Sequence, residues 1–275
     1  MMNDILLLCI IAHAVGDYYL QNNAMAFKKN SRFAWLAIHC ALYAIPFILA
    51  LAFIKPSAAL LYAFAFTIAG HFAVDTAKFF LIKILPKTAR TRALTYIGDQ
   101  FAHFAVMTAA SYIFTAQIAP HGYLGILLAD FGIPFLSLVK WTAAILLICK
   151  PANVTFTVLF SRLRPGKRVR AAQSSGDFLS ESKNPGGLII QPAEEEGGET
   201  GIKNAGGLIG FLERVIIVIL LSLGQFAAIG LVLTAKSIAR YEKISKEPQF
   251  AEYYLIGTLT SMLAAFIVYY AVFGA

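Results

Sequence analysis

Long apolar runs separated by short polar or basic connections make up most of the chain. A helix that crosses a bilayer needs ~20 mostly apolar residues. Seven runs approach or reach that length, at about 4–21, 33–54, 57–82, 95–117, 134–149, 208–234 and 251–273. The pattern predicts an all-α fold, a polytopic transmembrane helical bundle of about seven helices. Segment 122–133 (GYLGILLADFGI) is apolar but broken by glycines and followed by Pro134, so it reads as a half-helix, a re-entrant piece or an extension of the fifth span. Segment 150–161 (KPANVTFTVLFS) is too short to cross and runs into RLRPGKRVR, which suits an interfacial helix with its basic end among headgroups. Residues 163–206, including QPAEEEGGETG, hold too little apolar surface to fold alone and predict a flexible loop. The expected organisation is an N-terminal transmembrane bundle with an interfacial helix (1–162), a flexible polar loop (163–206) and a C-terminal helix pair (207–275).

The polar residues inside these runs are few and regularly spaced. His13 with Asp17, His71 with Asp75 and Asp99 with His103 each stand four apart, one helical turn along the same face. A carboxylate inside a membrane helix costs ~2.5–3.5 kcal/mol on insertion scales, so three such pairs point to a shared polar centre. Ridges extend them: Gln21 continues His13 and Asp17, Lys78 continues His71 and Asp75, and Thr95 precedes Asp99 and His103. His39 falls about two turns into the second run. Tracking depth along the first four spans puts all of these groups near one membrane face. A pocket of His13, Asp17, His39, His71, Asp75, Asp99 and His103 is a candidate divalent-metal site; imidazole suits Zn, Fe, Ni or Cu, and carboxylates extend the choice to Mn and Mg. Asp17 and Asp75 are then candidate catalytic bases, and Lys78 would orient an anionic substrate group or neutralise a carboxylate. A hydrogen-bonded network between helices, or a proton or ion path, uses the same residues.

Charge sharpens the topology. Only 14% of the residues are charged and 59% are hydrophobic, which excludes an ordinary soluble enzyme. The net charge of +8 is explained by basic loops beside anionic headgroups, since no nucleic-acid motif accompanies it. Lys28, Lys29 and Arg32, then Lys83, Lys87, Arg90 and Arg92, then Lys150, Arg162, Arg164, Lys167, Arg168 and Arg170 fall on one side if the N-terminus is outside. By the positive-inside rule that side is cytoplasmic. The first run has neither a basic leader nor a small-residue cleavage site and reads as the first membrane helix. Full crossing by 208–234 is the preferred expectation, because the run is long enough; a hairpin bent near Gly224 would instead return Lys236 and Arg240 to the inner side. Those two residues form an i,i+4 basic pair suited to a phosphate, or snorkel at the interface. Cys9, Cys40 and Cys149 lack metal-type spacing and read as core packing, and His121 reads as a surface residue.

The segments HAVGDYYLQ and DQFAH, with the C-terminal run GGLIGFLERV…GQFAAIGLVLTAKSIARY…AEYYLIGTLTS, resemble a bacterial integral-membrane family of unknown function. The resemblance covers nearly the whole chain apart from 163–206 and implies a multi-pass protein of the bacterial inner membrane, without supplying an activity. A weaker likeness, carried by His13, His39, His71, Asp75, Asp99 and His103, is to inner-membrane metal-dependent hydrolases. The expectation is a metal-dependent hydrolase acting on a lipid or other amphiphile at the cytoplasmic face. Lys78, Lys236 and Arg240 would bind the substrate. The alternatives are a proton- or cation-coupled transporter and a membrane scaffold without catalysis. The bilayer is the expected partner, nucleic acid is not, and the oligomeric state is left open.

Overall fold

The computed structural model describes residues 3–161, 163 and 205–274. The expected polar loop and the basic run after Ser161 fall almost wholly outside these residues. The chain divides into two compact units, Met1–Pro151 with Tyr270–Ala275, and Ala152–Tyr269.

The first unit begins with α1 (Asp4–Ala14), which continues into a π-helical turn, Val15–Tyr19. The short α2 (Asn23–Lys28) leads to α3 (Phe33–Ala50), α4 (Ala58–Ile84) and α5 (Ala89–Ile113). Next come α6 (Gly122–Asp130) and α7 (Phe135–Ile148), and then α8 (Lys150–Leu159), which from Ala152 on belongs to the second unit. Side-chain caps fix several starts: Asn3 accepts from the Ile5 N–H, Ser57 from Leu60 and Thr88 from Thr91. The Thr88 cap starts α5 almost two turns before the expected 95, because a capped end admits Arg90 and Arg92 that hydropathy assigns to a loop.

Helix α1 is apolar all round, as a helix surrounded by others should be. Ile5 to Ile10, Ala12, His13 and Ala14 are all buried, and the helix packs on α3, α4, α5 and α7. Each neighbour offers a single buried stripe. On α4 it runs Leu60, Ala63, Phe64, Thr67, His71, Asp75, Phe79; on α5, Asp99, His103, Met107, Ala110. The stripe on α3 is Leu36, His39, Cys40, Tyr43, Pro46, Phe47. One half of the interior is therefore apolar and the other half holds His, Asp and Lys.

The outward surface is the reverse of a water-soluble one. Ile48 is 63% exposed, Phe101 72% and Tyr112 87%, while the carboxylates and imidazoles are inside. Among the described residues, four helical stretches are long and apolar enough to cross a membrane: Phe33–Ala50, Ala58–Ile84, Phe135–Leu159 and Pro248–Phe273. These are features of a membrane protein. The third stretch includes α7 and α8, with a break in the helix at Cys149.

In the second unit, α9 (Ala205–Ser222), α10 (Phe226–Ala239), α11 (Tyr241–Lys246) and α12 (Pro248–Phe273) follow one another. The expected uninterrupted crossing by 208–234 is not what forms. Gly224 takes φ +68°, a left-handed conformation that ends α9. Glu213 and Lys236, nearly equidistant from Gly224 in sequence, then meet as an ion pair. The segment is a helical hairpin, because span length alone does not override a glycine-encoded turn.

Candidate buried metal centre

The three i,i+4 pairs converge, but not as pairs. Asp17 sits in the π-helical turn, and its carboxylate reaches Lys29 (3.4 Å), His39 (3.3 Å) and Gln100 (3.3 Å) rather than pairing with His13. The wider π turn takes Asp17 off the regular helical ridge that His13 begins. His71 stands 3.7 Å from Asp75, whereas Asp75 lies closer to Lys29 (3.0 Å) and His39 (3.3 Å). Asp99 accepts from Lys78 at 2.7 Å rather than pairing with His103. Spacing on a helix sets the shared face, and the facing helices then set the partner.

Lys29 organises one pole of the cluster. It is 6% exposed, and its ammonium donates to the Asp75 carboxylate at 3.0 Å and the Asp17 carboxylate at 3.4 Å. It also lies 2.9 Å from His39 Nε2, and a protonated amine there requires that nitrogen to accept. Burial on its own pushes the lysine down; the Asp17, Asp75 and Asp99 carboxylates outweigh it and hold Lys29 above its ordinary value. Lys29 thus carries its charge at neutral pH. Counting Lys78, the cluster sets two ammoniums against the three carboxylates of Asp17, Asp75 and Asp99.

Imidazoles form the other pole. The His71 ring stacks on Tyr43 at 3.5 Å and 3°, and on His103 at 4.4 Å and 23°. Two stacked rings cannot share one face, so His71 is held between them. His13, His71 and His103 each offer a ring nitrogen within 4.8 Å of the others. Gln100 orients His13. Its amide nitrogen faces the carboxylates of Asp17 and Asp99, so its oxygen faces His13 Nε2 at 3.4 Å and accepts there. Nδ1 of His13 then keeps its lone pair toward the Tyr43 hydroxyl at 3.2 Å. Tyr18 donates to the same Gln100 oxygen at 2.8 Å and bonds Tyr96 at 2.9 Å. Both ring nitrogens of His103, Nδ1 of His39 and His71, and one oxygen each of Asp75 and Asp99 are buried without a hydrogen-bond partner among the described residues. An unpaired buried polar atom costs ~1–3 kcal/mol, and several of these atoms belong to residue groups spaced so that they could hold a metal ion.

All seven expected metal-ligand residues therefore lie in one buried cluster, with Lys78 at its rim. Cys40 joins it too, forming a possible donor group with His71 and Asp75, where core packing alone was expected. Lys236 and Arg240 belong to the other unit. There Lys236 donates to Glu213 at 2.5 Å and to Thr258 at 3.2 Å, and Arg240 ends α10. The neighbouring Arg214 donates to Asn153 at 2.7 Å and Ser261 at 3.3 Å. Sequence reasoning missed Lys29, Tyr43 and Gln100 as site residues. Gln100 was signalled by its place beside Asp99 in DQFAH, and Tyr43 by its place four residues after His39. Lys29, in a basic connection, carried no such signal.

Residues 5–124 match the model of a protein family described as "Protein of unknown function (DUF3307)". That span holds every member of the cluster, and the match fits the resemblance to an uncharacterised family. No curated protein and no solved structure matches the chain.

Proposed function

We propose that the cluster is a metal centre and that the protein is a membrane metal-dependent hydrolase acting on a lipid or other amphiphile at the cytoplasmic face of the bacterial inner membrane. The observation that carries the reading is the convergence of His13, His71 and His103 to within 4.8 Å, with buried ring nitrogens of His71 and His103 left unpartnered. Three imidazoles suit a borderline divalent ion such as zinc. Bound there, such an ion supplies Lewis-acid activation of a phosphoryl or carbonyl oxygen and of water. Gln100 orients His13 in the way that outer partners of metal-binding histidines do. The unpartnered oxygens of Asp75 and Asp99 are placed to ligate or to take a proton. Lys78 is one-fifth exposed, on the accessible side of Asp99, where it can meet an anionic group of the substrate.

The test is metal content of the full chain purified in detergent, stripped with chelator and reloaded with Zn²⁺, Mn²⁺ or Fe²⁺. One tightly held ion per chain is expected, lost in the H71A/H103A double variant. Thermal unfolding with and without metal shows whether that variant is still folded. Equal metal content in the folded variant and the unaltered protein overturns the site.

A further inference from the structure

We propose that Lys29 is a tethered counter-cation that reserves a second divalent-metal subsite, formed by Asp17, His39 and Asp75, and that a divalent ion enters it by displacing the lysine ammonium. This goes beyond the three-imidazole site, and the experiment below separates the two.

Three donors of mixed type aim at one point. The Lys29 nitrogen lies 2.9 Å from His39 Nε2, 3.0 Å from the Asp75 carboxylate and 3.4 Å from the Asp17 carboxylate. Two carboxylates and an imidazole are a donor set for Mn²⁺, Fe²⁺, Co²⁺ or Zn²⁺. Metal–ligand bonds of about 2.0–2.2 Å require the donors to close by about 1 Å. The His39 lone pair that now accepts from the ammonium is the one a metal would take, so lysine and metal compete for the same electrons. A second observation marks the place as ligand-directed. Asp75 Oδ1 is fully buried and unpartnered among the described residues. The ammonium satisfies one oxygen of Asp75 and leaves the other unmet.

Charge favours the exchange. With Lys29 in place, the three carboxylates outnumber the two ammoniums and leave one net negative charge. While the three-imidazole site is empty, replacing one ammonium by a divalent ion brings the formal charge to zero, which a low-dielectric interior prefers. The chain also permits withdrawal. Lys29 follows the six-residue α2 and is the only buried residue from Phe27 to Ala34. Its side chain enters the cluster from an exposed connection, so it can leave without breaking a membrane-length helix.

The probe is Mn²⁺, titrated into the full chain in detergent and followed by electron paramagnetic resonance. K29M is expected to fill the subsite at a severalfold lower Mn²⁺ concentration than the unaltered protein, and K29M/D75N to lose it. In the unaltered protein, Mn²⁺ is expected to raise acetylation of Lys29 by an amine-reactive reagent severalfold, read by mass spectrometry, with Lys28 unchanged. Equal Mn²⁺ affinity in K29M and the unaltered protein, or unchanged binding in K29M/D75N, overturns the subsite. Unchanged labelling of Lys29 at saturating Mn²⁺ overturns the displacement, and this arm stands even if K29M folds poorly. Should the three-imidazole site fail, the unaltered protein and H71A/H103A bind equally, while K29M still fills the subsite at lower Mn²⁺ than either.

Discussion

Asp75 is the most shared side chain of the cluster. Its carboxylate meets Lys29 at 3.0 Å, His39 at 3.3 Å, His71 at 3.7 Å and His103 at 3.9 Å. Removing one partner of a buried ion pair strands the other, at a cost of about 3–5 kcal/mol. Asp75→Asn is therefore expected to destabilise the protein by that order, since Lys29 keeps only the longer of its two carboxylate contacts, to Asp17. Lys29→Met added to it removes the stranded charge, so the double variant is expected to be more stable than Asp75→Asn alone. Unfolding midpoints of the two single variants and the double, in one detergent, measure this coupling; strict additivity would contradict it. The sequence marked Asp75 but not Lys29. Carboxylates inside apolar runs stand out, whereas a lysine in the run FKKNSR looks like any basic loop facing headgroups. Which of Lys28 and Lys29 turns inward depends on the tertiary position of α2, which hydropathy does not encode.

Two glycines beside site residues set how closely the helices approach. Gly70 precedes His71, and a Cβ there would stand 2.4 Å from Val106 Cγ1. Gly16 precedes Asp17, and its Cβ would meet the Tyr43 ring at 2.7 Å. Both neighbours are tied to the ring stack: Val106 lies three residues after His103, and Tyr43 covers His71. Gly70→Ala is expected to push α4 from α5, cost about 1–3 kcal/mol and weaken metal binding by separating His71 from His103. Val106→Ala removes both methyls and leaves Cβ at 3.4 Å, so G70A/V106A is expected to recover most of both losses. Metal affinity measured beside the unfolding midpoint checks this, and loss without recovery would place the cause elsewhere. At this scale the sequence was legible in part. Helix faces followed from spacing, as the stripes on α4 and α5 show. The π turn did not, because Val15–Tyr19 differs from a regular helix only in its hydrogen-bond register. The hairpin at Gly224 was visible as an alternative, and run length outweighed it wrongly.

Across the first unit, the connections sort to two ends. The turns leading from α1 to α3, and from α4 to α5, lie at the end that holds Asp17, Lys29, Asp75, Lys78 and Asp99. At the other end the α3–α4 and α5–α6 connections meet, with Lys55 N–H donating to Ala119 O at 2.9 Å and His121 N–H to Phe53 O at 2.8 Å. The first end carries Lys28, Arg32, Lys83, Lys87, Arg90 and Arg92; the second carries Lys55. Burial of Lys29 removes one charge from the first end without changing the imbalance. The positive-inside rule then predicts an orientation with the polar cluster inward and His121 outward. That orientation decides which side the substrate comes from. It predicts that Lys87→Cys, in a background where Cys9, Cys40 and Cys149 are replaced by alanine, reacts in intact cells with a membrane-permeant maleimide and not with an impermeant one. His121→Cys should react with both. The reverse pattern would place the cluster at the outer face and make an amphiphile on that side the substrate to test.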